Sequence, residues 1–258
     1  MKRGQITLFI VVGLLILIFV LFITFSNKKN ETLEKTPLVK ADDVSLFITS
    51  CLQKEIENGL VVVSSQGGYY HLPPQSFASS EGLLPYYFNI NNSMQRSLSQ
   101  KKVEEQIGLY ISDNIQNCFH NFSSFPEKRI IISSEEKYAD IQLSDGRVLA
   151  KLFYPISMTE NNKKQNLQFF TAIVPIDALK LIELSQEYLD AQMKNQEGIP
   201  LDSVVHLKEK YNISLSVLFI EENAILTFFD EKIKIQDTPL LFRFAVKYNV
   251  TRQNVSEE

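Results

Sequence analysis

Ile6 to Phe25 is an uncharged run of 20 residues, 17 of them apolar, broken only by Thr7, Gly13 and Thr24. At about 1.5 Å of rise per residue, a helix of that length spans about 30 Å, the hydrocarbon thickness of a bilayer. A buried helix of a soluble core seldom runs so far without a polar face. The run is also longer than the apolar region of a cleaved secretory signal. Its exit through Thr24-Phe25-Ser26-Asn27 puts Phe25 where small residues would be wanted. The pattern predicts an uncleaved transmembrane helix over 6–25, with a cytoplasmic n-region at 1–5 and a polar linker over 26–40.

From residue 41 to 258 the pattern becomes that of a folded domain. Val44, Phe47, Ile48, Cys51, Leu52 and Ile56 form one helical stripe, capped by Asp42 or Asp43. Asn58-Gly59 reads as an interruption and Gly67-Gly68 as a stop. Short extended pieces are expected at 69–71 and 86–88. A second helix starts near Ser99, with Val103, Ile107, Tyr110, Ile111, Ile115, Cys118 and Phe119 on its apolar side. After Arg129 the period falls to two, predicting strands over 130–132, 138–143, 147–154 and 167–174. Asp145-Gly146 is a hairpin signal, and Thr159 to Gln165 reads as a solvated loop. A third helix begins near Asp177, a shorter one capped by Asp202 ends at Tyr211, and strands follow over 214–220, 224–229 and 240–248. Helices alternating with antiparallel strand groups give an α+β class. A division into two subdomains near 175 stays open.

Composition and charge sharpen this picture. At 45% hydrophobic, the chain is too apolar to be disordered. Its net charge of −4 hides an asymmetry. Lys2, Arg3, Lys28, Lys29, Lys35 and Lys40 face only Glu31 and Glu34 in the first 40 residues, so the remainder is strongly acidic. That is a poor start for nucleic-acid binding, which needs basic surface to displace counterions. The two cysteines, Cys51 and Cys118, sit on the apolar stripes of separate helices. They are either a bonded pair or two independent small core residues. The N-x-[ST] pattern occurs at Asn30, Asn91, Asn121, Asn212, Asn249 and Asn254, against about two expected from the content of Asn, Ser and Thr. Basic residues flank the apolar run on both sides and leave its orientation open. The glycosylation candidates and the cysteine pair favour an extracytoplasmic domain.

The start, Met1-Lys2-Arg3-Gly4-Gln5-Ile6-Thr7-Leu8-Phe9, resembles the class III (prepilin-type) signal of archaeal surface proteins. The resemblance implies processing between Gly4 and Gln5 on the cytoplasmic side, with the apolar segment kept. The chain departs from pilins further on. Phe9 stands at the fifth mature position, where bacterial pilins place a Glu, and Thr36-Pro37 interrupts any continuing spine helix. Ser50-Cys51-Leu52, Gln66-Gly67-Gly68-Tyr69, Leu84-Pro85-Tyr86-Tyr87 and the stretch from Leu241 to Tyr248 are similar to segments of single-pass membrane proteins of small-genome archaea. That likeness implies no catalytic activity.

Motifs for chemistry are few. His71, His120 and His206 have no histidine at helical spacing, and neither a P-loop nor G-x-S-x-G is present. No metal or cofactor is expected. Ser64 to Gly68 reads as a helix C-terminus or as an anion-binding nest, the former preferred. Glu104-Glu105, Glu135-Glu136 and Glu221-Glu222 read as solvated surface. Tyr69, Tyr70, His71, Tyr86, Tyr87 and Phe88, with prolines close by, form the most distinctive cluster. They line a groove for a peptide or sugar, or they cover the edge of the sheet as a hydrophobic cluster. The expectation is a non-enzymatic, membrane-anchored cell-surface protein with a recognition, envelope-structural or pilin-like role. Its partners would be the membrane, other envelope proteins or glycans, with no nucleic acid. The alternative is an anchored extracytoplasmic hydrolase.

Overall fold

The computed structural model describes residues 43–80, 82–134, 136–196 and 198–248. The expected n-region, transmembrane run and linker lie outside these residues, as do Gly4, Gln5, Asn30, Glu135, Asn249 and Asn254. Among the described residues no helix is long and apolar enough to cross a membrane.

Val44, Ile48, Cys51, Leu52, Ile56, Leu60 and Val63 recur at helical spacing and are all buried on one side of α1 (Asp43–Ser65). Asn58-Gly59 does not interrupt this helix. A Cβ on Gly59 would lie 2.9 Å from the Tyr110 ring, so the glycine permits close approach of α2 (Gln100–Phe119). Ser99 caps α2 by accepting a hydrogen bond from the Lys102 amide. Cys51 and Cys118 face each other from the two helices in a disulfide, with Cα atoms 5.8 Å apart.

The other elements are β1 (Ser76–Ser79), β2 (Gly82–Asn89), β3 (Met94–Gln95), β4 (Arg129–Ile132), β5 (Tyr138–Ser144), β6 (Arg147–Glu160), β7 (Lys163–Val174), α3 (Ala178–Lys194), α4 (Leu201–Tyr211), β8 (Ser214–Ile220), β9 (Asn223–Ile235) and β10 (Thr238–Lys247). They build an α+β fold. One sheet runs β1-β2-β10-β9-β8, with β3 also on β2, and is antiparallel except where β10 meets β2. In the other, β6 pairs with β4 and β5 and also with β7. Helix α1 touches both sheets, α2 covers β5, and α3 packs on β9 and β10. The first sheet joins β1 and β2 to β8, β9 and β10, so the chain does not divide near 175.

Three local expectations are corrected. Thr159 to Gln165 is not a loop, because β6 and β7 continue through it. Only Asn161 and Asn162 turn, both at positive φ, as a two-residue hairpin requires and asparagine tolerates. Strand residues solvated on both faces carry no apolar alternation, so the pattern is silent there. Residues 69–71 do not form a strand; the amides of Tyr70 and His71 both donate to Gln106 Oε1, at 2.8 and 3.1 Å. Helix α4 starts at Leu201 after Pro200, placing Asp202 in the first turn instead of at the cap.

The outer edge of β5 is closed by side chains of α2. Glu104 Oε1 accepts from the Leu143 amide at 2.8 Å, Gln100 donates to the Leu143 carbonyl at 2.9 Å, and Ser112 Oγ accepts from the Ala139 amide at 3.1 Å. Glu104 is therefore a structural acid, not solvated surface. Beneath the first sheet, Gln192 is fully buried. It accepts from the hydroxyls of Tyr188 and Tyr248 and donates to the carbonyls of Asn195 and Gly198. Burial pushes the Tyr248 hydroxyl up to about 12.

Asp230 on β9 is 6% exposed and receives Lys180 Nζ of α3 at 2.5 Å and the Lys232 amide at 2.9 Å. Burial alone would raise its pKa, but these donors outweigh it and hold the carboxyl below its ordinary value. A depressed folded pKa stabilises the protein above the unfolded carboxylate value of about 4, and the gain is lost as pH falls through the folded value. Asp230→Asn should cost about 2 kcal/mol at pH 7. The gap between variant and native chain in urea midpoint should begin to narrow near about pH 4 and close only once pH has fallen below the depressed folded value, where both carry a neutral group. A gap unchanged from pH 7 to pH 2 would contradict this role.

Candidate functional site

The aromatic cluster expected as a patch does not share one surface. Tyr69, Tyr87 and Phe88 are buried, each at 4% exposure or less. The Tyr87 hydroxyl donates to the Gly67 carbonyl at 2.6 Å, and its ring meets Phe244 edge-on at 5.2 Å. Burial pushes that hydroxyl well above its ordinary pKa. Tyr86 points to the face of β2 opposite Tyr87, as alternation along a strand demands, while the register shift between Ala245 and Val246 of β10 accompanies the return of Phe88 to the core side. It packs by Leu84, Ile225 and Ala245 and donates to Asn223 Oδ1 at 2.7 Å. Tyr70 lies against Tyr110, and the exposed His71 ring sits beside it, with Nε2 4.0 Å from Asp113. Groove formation by these six residues is thus corrected: three belong to the core and one to the other face of the sheet.

The remaining candidates are scattered. Gly67 and Gly68 adopt positive φ, and the Gly68 amide bonds the Val63 carbonyl at 2.8 Å. This is the C-terminal turn of α1, with its amides turned to the helix and not toward an anion. His120 ends α2 and His206 lies exposed on α4. Among the described residues, no three His, Cys, Asp or Glu side chains are placed to hold a metal. Asn91, Asn121 and Asn212 are exposed, the last two at positive φ. Glu221 turns between β8 and β9, and Glu222 pairs with Lys247 at 3.2 Å.

An exposed aromatic row lies on the outward face of the second sheet. The Asp145-Gly146 turn pairs Ser144 with Arg147, which sets Tyr138 opposite Phe153. Across β6, Phe153 stands opposite Phe169 of β7. Neighbouring ring centroids are 5.2 and 5.1 Å apart, and Tyr138 and Phe169 are 52% and 68% exposed. Alternation along β6 puts Arg147, Lys151 and Thr159 on the side of Phe153, and Thr159 is paired with Arg129 and, beyond a register shift, with Lys164. These four exposed cations stand against the carboxylate of Asp140. The row is a basic island on an acidic domain. Its rings lie against one another, so a planar base or sugar finds an open ring face only at the ends. Ring edges with flanking cations suit a protein surface better. The sequence reading missed this row. The two-residue turn at 145–146 was enough to set Tyr138 opposite Phe153, but Phe169 required the unrecognised turn at 161–162.

Two of the concavities lie beside an apolar seam and a histidine. A cleft of about 390 Å³ lies between Val61 and Ser65 of α1, Tyr110, and the β9–β10 turn near Pro239, with an uncharged lining. A hollow of about 320 Å³ holds His206, Ser203, Asp202 and Glu187. There Glu187 accepts from Lys210 at 2.5 Å and from Tyr211 at 2.6 Å, and these bonds hold its carboxyl below the ordinary range. It is committed to tying α3 to α4.

No protein-family profile matches the chain, and no curated protein matches it significantly.

Proposed function

We propose that this chain is a non-enzymatic cell-surface protein. The 6–25 segment anchors it, and the α+β domain engages a protein partner of the envelope through the outward face of the second sheet. The observation that carries the reading is the exposed Tyr138–Phe153–Phe169 row with its flanking cations. A contiguous apolar surface left in water is characteristic of an interaction site. Support for the extracytoplasmic side comes from the disulfide, which suits an oxidising compartment, and from exposed glycosylation candidates at Asn91, Asn121 and Asn212. Processing at Gly4-Gln5 belongs to the same reading. The hydrolase alternative has local support in the hollow beside His206, but its Glu187 is already bound by Lys210 and Tyr211.

A membrane-impermeant amine reagent applied to intact cells tests the placement. Lys54 and Lys208, exposed on α1 and α4 and not on the second sheet, should be modified without lysis, and the protein should remain in membranes after alkaline washing. Modification that requires lysis, or release by the wash, would contradict the reading.

A further inference from the structure

We propose that copies of this chain join head to tail by strand addition, β7 of one copy pairing antiparallel with β8 of the next. The proposal rests on the surface-protein reading above and names its partner as a second copy. A sheet edge presents unpaired amides and carbonyls, and folded proteins close, shorten or occupy such edges. Here β5 is closed by Gln100, Glu104 and Ser112, while β1 and β4 are only four residues long. Among the described residues, β7 pairs only with β6 and β8 only with β9. Strand β7 is 12 residues long and exposed over Lys163 to Asn166, and β8 exposes Leu218 and Phe219.

The ends of the two strands carry opposite charge. Lys163-Lys164 opens β7, and Glu221-Glu222 follows β8. Antiparallel pairing brings these ends together. The register that sets Lys164 opposite Glu221 also sets Leu167 opposite Leu218 and Phe169 opposite Ser216. The added strand then covers the end of the aromatic row that is most exposed. Two β7 strands paired in parallel would instead oppose lysine to lysine. The two surfaces are different, so the contact is heterologous and propagates along a row of copies.

The test uses the full-length chain, co-reconstituted in lipid vesicles from equal parts of ¹⁴N- and ¹⁵N-labelled protein and treated with a carbodiimide that joins amines to carboxylates. The expected product is a mixed-isotope link between the Lys163–Lys164 peptide and the Glu221–Glu222 peptide. By sedimentation, Lys164→Glu or Glu221→Lys alone should lower the oligomeric fraction about fivefold, and the two combined in one chain should restore it. Absence of the mixed-isotope link, or a double variant no better than the singles, overturns the proposal. A chain that reaches the cell surface yet fails this test leaves the surface reading intact. A chain that assembles but is never labelled on intact cells overturns only the surface reading.

Discussion

Replacing Cys51 and Cys118 together by alanine should lower the stability of the domain by about 4 kcal/mol, and its melting temperature by about 10 °C. The bond spans a sequence separation of 67 residues, and in the chain-entropy view its main effect is to restrict the unfolded ensemble. The segment it closes includes β1, β2 and β3, so the bond links early strands of the first sheet to the helix pair that supports the second. Both cysteines lie on helix faces that pack without them: Val44, Ile48, Leu52, Ile107, Ile111 and Ile115 remain fully buried. The variant should therefore fold to the same architecture with a lower midpoint. Thermal unfolding with and without reductant checks this. The native chain should fall to the variant's midpoint on reduction, and the variant should not respond. Equal midpoints for oxidised and reduced native protein would contradict it.

Gly108→Val should cost about 3 kcal/mol. Helix propensity alone argues the other way, since glycine inside a helix is about 1 kcal/mol worse than alanine. Here the position is decided by contact. A Cβ on Gly108 would stand 2.5 Å from the Ala139 carbonyl oxygen, a backbone atom of β5. Moving α2 away to make room stretches the bonds from Ser112 to the Ala139 amide and from Glu104 to the Leu143 amide. Gly59 makes a useful contrast. Its nearest neighbour is the ring of Tyr110, a side chain that can shift, so Gly59→Ala should cost only about 1 kcal/mol. Chemical unfolding ranks the two, and hydrogen exchange at Ala139 and Leu143 should speed up in Gly108→Val alone. A Gly108→Val chain as stable as the native one would refute this account of the seam.

Much of the fold could be read along the chain wherever burial imposes a period. The stripe from Val44 to Val63 and that from Val103 to Phe119 each face a core, and the Asp145-Gly146 turn fixes a register. The reading failed where the period is absent or carries two meanings. The polar ends of β6 and β7 look like a loop because water lies on both sides of them. Tyr86 and Tyr87 look like one patch, but adjacent strand residues face opposite sides, one toward Asn223 and the other toward Gly67. The parallel pairing of β2 with β10 joins segments far apart in sequence and carries no local signal. Asn121 and Asn212 also show why a motif count overstates its case. Both adopt positive φ, a conformation that favours asparagine for its backbone as well as for any glycan.

Intact mass measurement of the protein purified from native membranes is the most direct test of the anchored, extracytoplasmic reading. The account predicts a chain beginning at Gln5, about 2 Da lighter than its reduced form because Cys51 and Cys118 are joined, and carrying glycan mass at one or more of Asn91, Asn121 and Asn212. A fully reduced, unmodified chain beginning at Met1 and recovered outside the membrane fraction would contradict it.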